Sequence, residues 1–175
     1  IFHLCEHHGI KSLSRSAESA SDVATIDESL VNLLNSKEGS FLCDYNIVTI
    51  QPTSPFLSAD TIEGCIKSFL EKKSLSTIFT AKALRKLCWK QTSNGFIPLY
   101  SSRVNRQSLE PLFQETGAVV VSSSNSILTH RTRFINSSVP YIHSYPETFD
   151  IDTFEDLASA NRYLSRREIF IDIVA

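Results

Sequence analysis

A hydrophobic run at residues 45–50 (YNIVTI) is followed at once by the polar, proline-stiffened segment 51–56 (QPTSPF). The wider run 42–50 has the continuous apolar character of a buried parallel strand. Two prolines restrict the backbone after it, which leaves the amide of Gln51 and the hydroxyls of Thr53 and Ser54 for hydrogen bonding. Open α/β sheets bind their ligands at strand ends of this kind, so the segment is a candidate binding loop. The alternative is a plain turn capped by Ser54.

Helix and strand patterns alternate on both sides of this loop. Ser58 is a suitable N-cap for a helix that runs to about Lys72. Further helix patterns cover residues 25–34 and 125–130, and short strand patterns cover residues 10–13, 75–80, 117–121 and 140–144. The alternation predicts one α/β domain over residues 1–175, with three layers and a mostly parallel sheet flanked by helices.

The two ends of the chain carry helix signals of their own. Near the start, residues 2–8 fit the end of a helix, with Gly9 as its left-handed cap. The last helix pattern begins with a capping box, because Asp156 follows Thr153 by three residues. Its inner face is expected to be formed by residues that recur at helical spacing, namely Phe154, Leu157, Asn161 and Leu164.

Residues 81–110 fit the alternation poorly. Two short strand patterns, at 87–91 and 96–100, flank Ser93-Asn94-Gly95, which is typical of a hairpin turn. The segment carries large apolar side chains that need cover, namely Leu87, Trp89, Phe96, Ile97 and Leu99. We therefore expect a small excursion from the sheet that contains a hairpin, covering either the chain's own sheet or a partner.

The composition narrows the class of protein. The chain has 175 residues, of which 42% are hydrophobic and 21% charged, and its formal net charge is −2. The negative charge argues against nucleic acid as a partner, because no surplus of cations can release counterions. No apolar run approaches the roughly 18 residues that cross a bilayer, and no signal peptide opens the chain. We expect a cytoplasmic protein without a membrane partner, and its four scattered cysteines are expected to be reduced.

A pair of carboxylates forms the second candidate site. Asp150 and Asp152 are separated by Ile151, so in an extended chain both carboxylates face one side while Ile151 faces the core. Mg²⁺ prefers one or two carboxylates together with phosphate oxygens. The pair therefore predicts magnesium-assisted chemistry on a phosphorylated substrate. The alternative is that Asp152 and Thr153 only begin a helix and interact with its dipole.

These segments occur in a fixed order: QPTSP at 51–55, Arg106-Gln107, ETGA at 115–118, and DIDT at 150–153 before a capped helix. In that order they resemble the acylneuraminate cytidylyltransferases, the family of CMP-sialic acid synthetases, from about Arg15 to about Leu164. The resemblance implies a nucleotidyltransferase-like, Rossmann-type fold. It also implies that CMP is transferred from CTP to a nine-carbon sugar acid such as N-acetylneuraminic acid, with release of pyrophosphate.

The resemblance assigns roles to the residues of the two candidate sites. Gln51 and Thr53 match loop residues that contact the sugar acid. Arg106 matches an arginine that faces the anionic acceptor, where a guanidinium suits a carboxylate bidentately. Asp150 and Asp152 match the family's Mg²⁺-binding pair, one of which also helps to deprotonate the attacking hydroxyl.

Four further positions are assigned by the resemblance with departures. Arg15 is similar to the arginine of an R-P-A-E stretch near the nucleotide, with Ser16 in place of the proline. Lys86 matches a lysine that reaches the acceptor from the excursion; Lys90 and a solvated hairpin charge are the alternatives. Phe134 remains from an aromatic pair of the acceptor pocket, and Val120 stands where relatives often have an aromatic, so the acceptor stays open.

The resemblance leaves the activity of the chain itself open. The Arg-rich, Gly-containing loop that holds CTP phosphates in the family has no counterpart here, so we expect an N-terminally incomplete chain that binds CTP poorly. A homodimer is implied, in which residues 81–110 complete the partner's acceptor site. The alternative function is a non-catalytic, truncated or degenerate homologue that acts as a dimerising or binding domain. A metal module at His3, Cys5, His7 and His8 is a weaker alternative.

Overall fold

The computed structural model describes residues 2–15, 20, 23–72 and 77–174, with side chains as far as residue 166. The helices among them are α1 (Phe2–His7), α2 (Ile26–Asn35), α3 (Ala59–Glu71), α4 (Ser124–His130) and α5 (Phe154–Val174). The strands are β1 (Asn46–Ile50), β2 (Ile78–Leu84), β3 (Trp89–Thr92), β4 (Gly95–Pro98), β5 (Leu112–Ser123) and β6 (Val139–Ile142). The chain divides into two compact units, one made of Ile1–Ile47 with Ser123–Ile135 and one of Val48–Ser122 with Asn136–Ala175.

The first unit is built around α2 and α4. Helix α2 opens with a capping box in which Thr25 and Glu28 accept each other's backbone N–H groups. The core of this unit is formed by side chains from α2 and α4, namely Val31, Leu34 and Ile127. Gly9 has φ +67°, which confirms the left-handed cap after α1. The strand predicted at 10–13 is wrong: Ile10 and Leu13 are exposed in an irregular segment, which has no neighbouring strand to pair with among the described residues.

The second unit contains most of a four-stranded sheet with the strand order β1-β5-β2-β6. Strand β2 runs parallel to β6 but antiparallel to β5, so the predicted α/β class is confirmed with a mixed sheet. Leu84 at the end of β2 pairs with Leu112 at the start of β5. The chain between them therefore leaves the sheet and returns to the same place, which reverses its direction and makes β5 antiparallel.

The excursion from the sheet starts later than the sequence predicts. Residues 81–84 continue β2, so the excursion covers residues 85–111. Its hairpin is confirmed, with β3 paired antiparallel to β4. The guanidinium of Arg85 donates a hydrogen bond to the carbonyl of Leu109, a buried residue, and this bond links the start of the excursion to its end.

Helix α3 packs on the sheet through one apolar face. Ser58 caps it by accepting the N–H of Thr61, as predicted. The buried core between helix and sheet consists of Cys65, Phe69, Ile78, Val119 and Val121. The four cysteines are all free, in agreement with the expectation of reduced thiols, and burial raises the pKa of Cys65 to about 12.

Helix α5 is rotated relative to the prediction. Its capping box is present, but Phe154 is 87% exposed, and Leu157 and Leu164 are exposed as well. The inward side is formed by the buried Ala160 and the half-buried Tyr163, whose ring centroid lies 4.9 Å from that of Phe56. Contact with the loop after β1 therefore decides which face turns inward. Among the described residues, none of the helices combines the length and apolar character that a bilayer-spanning segment requires.

Candidate functional site

The loop after β1 is attached to the neighbouring strand β5. The backbone N–H of Gln51 donates to the carbonyl of Ala118 over 3.1 Å. The N–H of Ser54 then donates to the carbonyl of Gln51, and Ser54 is buried. The segment is thus a tight turn, as its prolines indicate, and its first residue is held against the ETGA segment of β5.

Gly117 makes room for the side chain of Gln51. Its φ is +72°, a region that L side chains rarely adopt. A Cβ atom at this position would lie only 2.9 Å from Oε1 of Gln51. The backbone conformation therefore requires glycine, and an added Cβ would also displace the side chain of Gln51. The Gly-Ala pair was noticed in the sequence, but its role in positioning Gln51 depends on a contact between distant segments.

The aspartate pair is joined to the same loop. The N–H of Ile151, between the two aspartates, donates to the carbonyl of Thr53 over 2.9 Å. The rings of Phe56 and Phe149 are also in contact, with centroids 5.8 Å apart. Four of the predicted site residues, Gln51, Thr53, Asp150 and Asp152, therefore lie on two segments that are bonded to each other.

The two carboxylates differ in environment. Oδ1 of Asp150 is buried and has no hydrogen-bond partner among the residues that the structure describes, whereas Asp152 is exposed. The helix cap predicted for this segment is made by Thr153 and Asp156: the carboxylate of Asp156 accepts the N–H groups of Thr153 and Asp152. Hydrogen bonds from Thr153 lower the pKa of Asp156. Only the backbone of Asp152 takes part in the cap, so its carboxylate remains available for other contacts.

The buried carboxylate oxygen of Asp150 suits a small divalent cation. A buried anionic oxygen without a partner is costly, and a cation beside Oδ1 of Asp150 would remove that cost. Mg²⁺ needs only one or two carboxylates because water and phosphate complete its shell. The described residues hold no group of three or more His, Cys, Asp or Glu able to bind a metal. The side chains of His3, Cys5, His7 and His8, which lie in and just after α1, form no such group, so the structure gives no support to the alternative module there.

A buried polar chain that the sequence did not reveal lies beside Gly117. Thr116 Oγ1 is 2.9 Å from Nε2 of His143, whose Nδ1 lies 3.6 Å from Oε2 of Glu147. Burial lowers the pKa of His143, although Glu147 acts in the opposite direction. Burial alone would raise the pKa of Glu147, but hydrogen bonds from Ser58 and Thr61 lower it.

Three basic residues predicted for the site lie on the exposed excursion. Lys86 follows β2, Lys90 is on β3, and Arg106 begins a short 3₁₀ helix at Arg106–Ser108. Within the part of the chain that the structure describes, none of these side chains forms a hydrogen bond or ion pair with Gln51, Thr53 or the aspartates. The contacts of a single chain therefore do not bring them to the loop and the acid pair.

Arg15 and Phe134 belong to the first unit. Arg15 donates to the hydroxyl of Ser29 over 3.3 Å, while positions 16–18 of its R-S-A-E stretch lie outside the described residues. Phe134 is half-buried, with the guanidinium of Arg133 5.6 Å from its ring centre. Arg133 is itself buried and paired with Asp27.

Val120 occupies the position at which members of the resembled family often have an aromatic residue. Its side chain is 1% exposed on β5, so it is a core residue and does not line an open pocket. Position 120 therefore gives no information about the shape of an acceptor pocket. The apolar run at residues 117–121 indicated a buried strand, but the face of the sheet that each residue occupies depends on the strand's register.

No protein-family model matches the chain. Among solved structures, it is similar to the crystal structure of 4-diphosphocytidyl-2C-methyl-D-erythritol synthase from Anaerococcus prevotii DSM 20548. The TM-score is 0.61 at 15% sequence identity, and the match covers 94% of this chain and 72% of that one. The chain therefore shares an α/β fold with that synthase.

Proposed function

We propose that the protein is a cytidylyltransferase that transfers CMP from CTP to a nine-carbon sugar acid such as N-acetylneuraminic acid. The observation that carries this proposal is the hydrogen bond from Ile151 to Thr53, which joins the DIDT segment to the QPTSP loop. The order of motifs resembles the acylneuraminate cytidylyltransferases, which supports the choice of acceptor. The synthase with the shared fold is named for a diphosphocytidyl compound, which supports CTP as the nucleotide.

The two carboxylates have separate roles in this proposal. Asp150 and Asp152 would hold Mg²⁺, which neutralises charge on a phosphoryl group when bound. Asp152 is exposed and can also accept the proton of the anomeric hydroxyl. The hydroxyl oxygen forms a bond to the α-phosphorus of CTP as the bond between that phosphorus and the β-phosphate oxygen breaks. Pyrophosphate leaves, and the CMP-sugar is the other product.

The loop after β1 orients the acceptor. Gln51 offers both a donor and an acceptor, and Thr53 offers a hydroxyl beside the aspartate segment. Because the loop is bonded to β5 and to Ile151, the backbone that carries these groups is held in place before substrate binds. Such positioning reduces the entropy that must be lost in reaching the reactive arrangement.

Arg106 and Lys86 are proposed to act on a second copy of the chain. They lie on the excursion, whose hairpin exposes large apolar side chains, with Phe96 67% and Trp89 53% exposed. Apolar groups in this number need cover, which a homodimer would supply. In that dimer, Arg106 would pair with the acceptor carboxylate bound by the partner subunit.

The proposal is tested by pyrophosphate release from the full-length protein with CTP, Mg²⁺ and N-acetylneuraminic acid. Asp152→Asn should lower the rate at least about 100-fold, because a group that holds the cation and accepts a proton is lost. Asp44→Asn, which changes another exposed aspartate in the first unit, is the matched control and should leave the rate unchanged. Absence of pyrophosphate release with every nine-carbon acid tried would contradict the proposal.

A non-catalytic dimerising domain is the second candidate, and the exposed hairpin favours it. Sedimentation of the purified protein distinguishes the two together with the turnover assay. A dimer without turnover supports the second candidate, and a dimer with turnover supports the first. Phe96→Glu should convert the dimer to monomer in either case, because a carboxylate then takes the place of an apolar contact.

A further inference from the structure

We propose that His143 is a positioning residue for Gln51. It acts through Thr116 and Gly117, and Glu147 lies on the other side of its ring. The consequence for turnover rests on the function proposed above. The effect on Gln51 itself does not, because it follows from contacts within the chain. Neither His143 nor Glu147 belongs to the motifs that the sequence singled out.

The first step concerns an irregularity in β5. Strand β2 pairs Phe79 with Val120 but Ala81 with Glu115, so three extra residues of β5 are accommodated between these partners. Gly117, with its left-handed backbone, lies within this bulge. A bulge interrupts the ladder and leaves backbone groups that need other partners. Its shape is therefore set by side chains.

Thr80 and Thr116 supply these partners. The hydroxyl of Thr80 accepts the N–H of Val119 over 2.9 Å, and the hydroxyl of Thr116 lies 3.1 Å from the carbonyl of Thr80 and 2.9 Å from its Oγ1. A hydroxyl has one proton, and a carbonyl can only accept. The proton of Thr116 is therefore given to Thr80. We therefore assign Nε2 of His143 as the donor in its 2.9 Å bond with Thr116.

This assignment fixes the tautomer of the imidazole. With the proton on Nε2 of the neutral ring, Nδ1 is buried without a hydrogen-bond partner among the described residues and lies 3.6 Å from the carboxylate of Glu147. Glu147 in turn accepts a hydrogen bond from the hydroxyl of Thr61 in the first turn of α3. His143 is 7% exposed, so the ring is held between Thr116 of β5 and Glu147 with little freedom.

The chain of contacts ends at the binding loop. Thr116 precedes Gly117, whose open position is filled by the amide of Gln51. A change in the backbone of the bulge at Thr116 would move Gly117. The side chain of Gln51, which packs against Gly117, would then move as well. Loss of the His143 donor would leave the Thr116 hydroxyl without one of its buried partners, and the bulge would relax. His143 therefore controls Gln51 without touching the substrate.

The test compares His143→Leu with His143→Gln in the full-length protein. Leucine removes the donor, whereas glutamine keeps an N–H donor on a side chain of similar reach. Nuclear magnetic resonance of the Gln51 side-chain amide and the Gly117 backbone amide is the first readout. Both signals should shift in His143→Leu and return toward their wild-type positions in His143→Gln. A purely structural core residue would not be rescued by a polar replacement.

The second readout separates binding from chemistry. The KM for the sugar acid should rise about tenfold in His143→Leu, while kcat changes little, because the substituted residue contacts neither reacting group. Unchanged Gln51 and Gly117 signals in a folded His143→Leu would overturn the inference. If that variant does not fold, Thr116→Val decides by the same two signals. Absence of turnover in the wild type would contradict the proposed function and leave the resonance test intact.

Discussion

The backbone N–H of Ile151 donates a 2.9 Å hydrogen bond to the carbonyl of Thr53, although the two residues are far apart in the sequence. This bond attaches the segment that carries both aspartates to the loop that carries Gln51. Because it uses backbone atoms only, the side chains of Asp150, Asp152 and Thr53 remain available for ligands. The proposed cation site and the proposed acceptor loop thus share one local framework.

Mg²⁺ should stabilise the protein through Asp150. At a concentration about 100 times the dissociation constant, a ligand that binds only the folded state adds about 2.7 kcal/mol to the free energy of unfolding. Asp150→Asn should lose this increment, since its buried oxygen no longer carries the charge that attracts the cation. Thermal unfolding with MgCl₂ and with a chelator measures the difference. An equal response of wild type and variant would contradict the site, and Asp44→Asn serves as the control.

Gly117→Ala should disturb Gln51 as well as lower stability. An alanine at φ +72° costs about 1–2 kcal/mol, and its Cβ would press on the Gln51 amide. Gly9→Ala is the matched control, because Gly9 has φ +67° and no atom within 4 Å of the added Cβ. We expect the affinity for the sugar acid to fall only in Gly117→Ala. Equal affinities in calorimetric titration of the two variants would show that the contact with Gln51 has no functional effect.

Asp27→Asn should destabilise the first unit by about 2 kcal/mol, because the buried guanidinium of Arg133 would lose its charged partner. Thr132 also donates to Asp27 over 2.6 Å, and Arg133 lies against the ring of Phe134. Urea denaturation measures the loss. The double variant Asp27→Asn/Arg133→Met should recover part of it, since no unpaired charge remains. If the double variant instead lost as much free energy of unfolding as the two single substitutions together, this explanation would be contradicted.

Stability should decline as the pH falls below about 6.5, and His143 is the first group responsible. Its pKa is lowered by burial from 6.5, so below that pH the unfolded chain binds a proton that the folded protein does not. The decline levels off once the folded-state pKa is passed. Glu147 acts later with the same sign: its lowered pKa gives stability that is present above 4.5 and is lost as the pH falls further.

Chemical denaturation across this pH range checks the assignment. In His143→Gln the first decline should be absent, because the variant lacks the imidazole whose pKa is lowered on folding. The second decline should remain, because Glu147 keeps its hydrogen bonds from Ser58 and Thr61. An unchanged profile in His143→Gln would assign the first decline to another group.

Elements with strong local signals were predicted closely. The capping residues Ser58 and Thr153 were identified correctly, because a hydroxyl followed by suitable helix residues acts within a few positions. The hairpin at Asn94-Gly95 was also found from its turn. By contrast, the inner face of α5 was assigned wrongly. Its rotation depends on the ring of Tyr163 packing against Phe56 and Tyr145, and these contacts are not local.

The amino-acid order alone determined the α/β class, the positions of most elements, and the two polar segments that became the candidate site. These properties arise from the spacing of apolar residues and from turn and cap chemistry, which operate over a few residues. Tertiary structure alone decided that β5 is antiparallel to β2, that Gly117 receives Gln51, and that His143 and Glu147 stand behind it. Such relationships depend on strand register and on contacts between distant segments, which local periodicity does not encode.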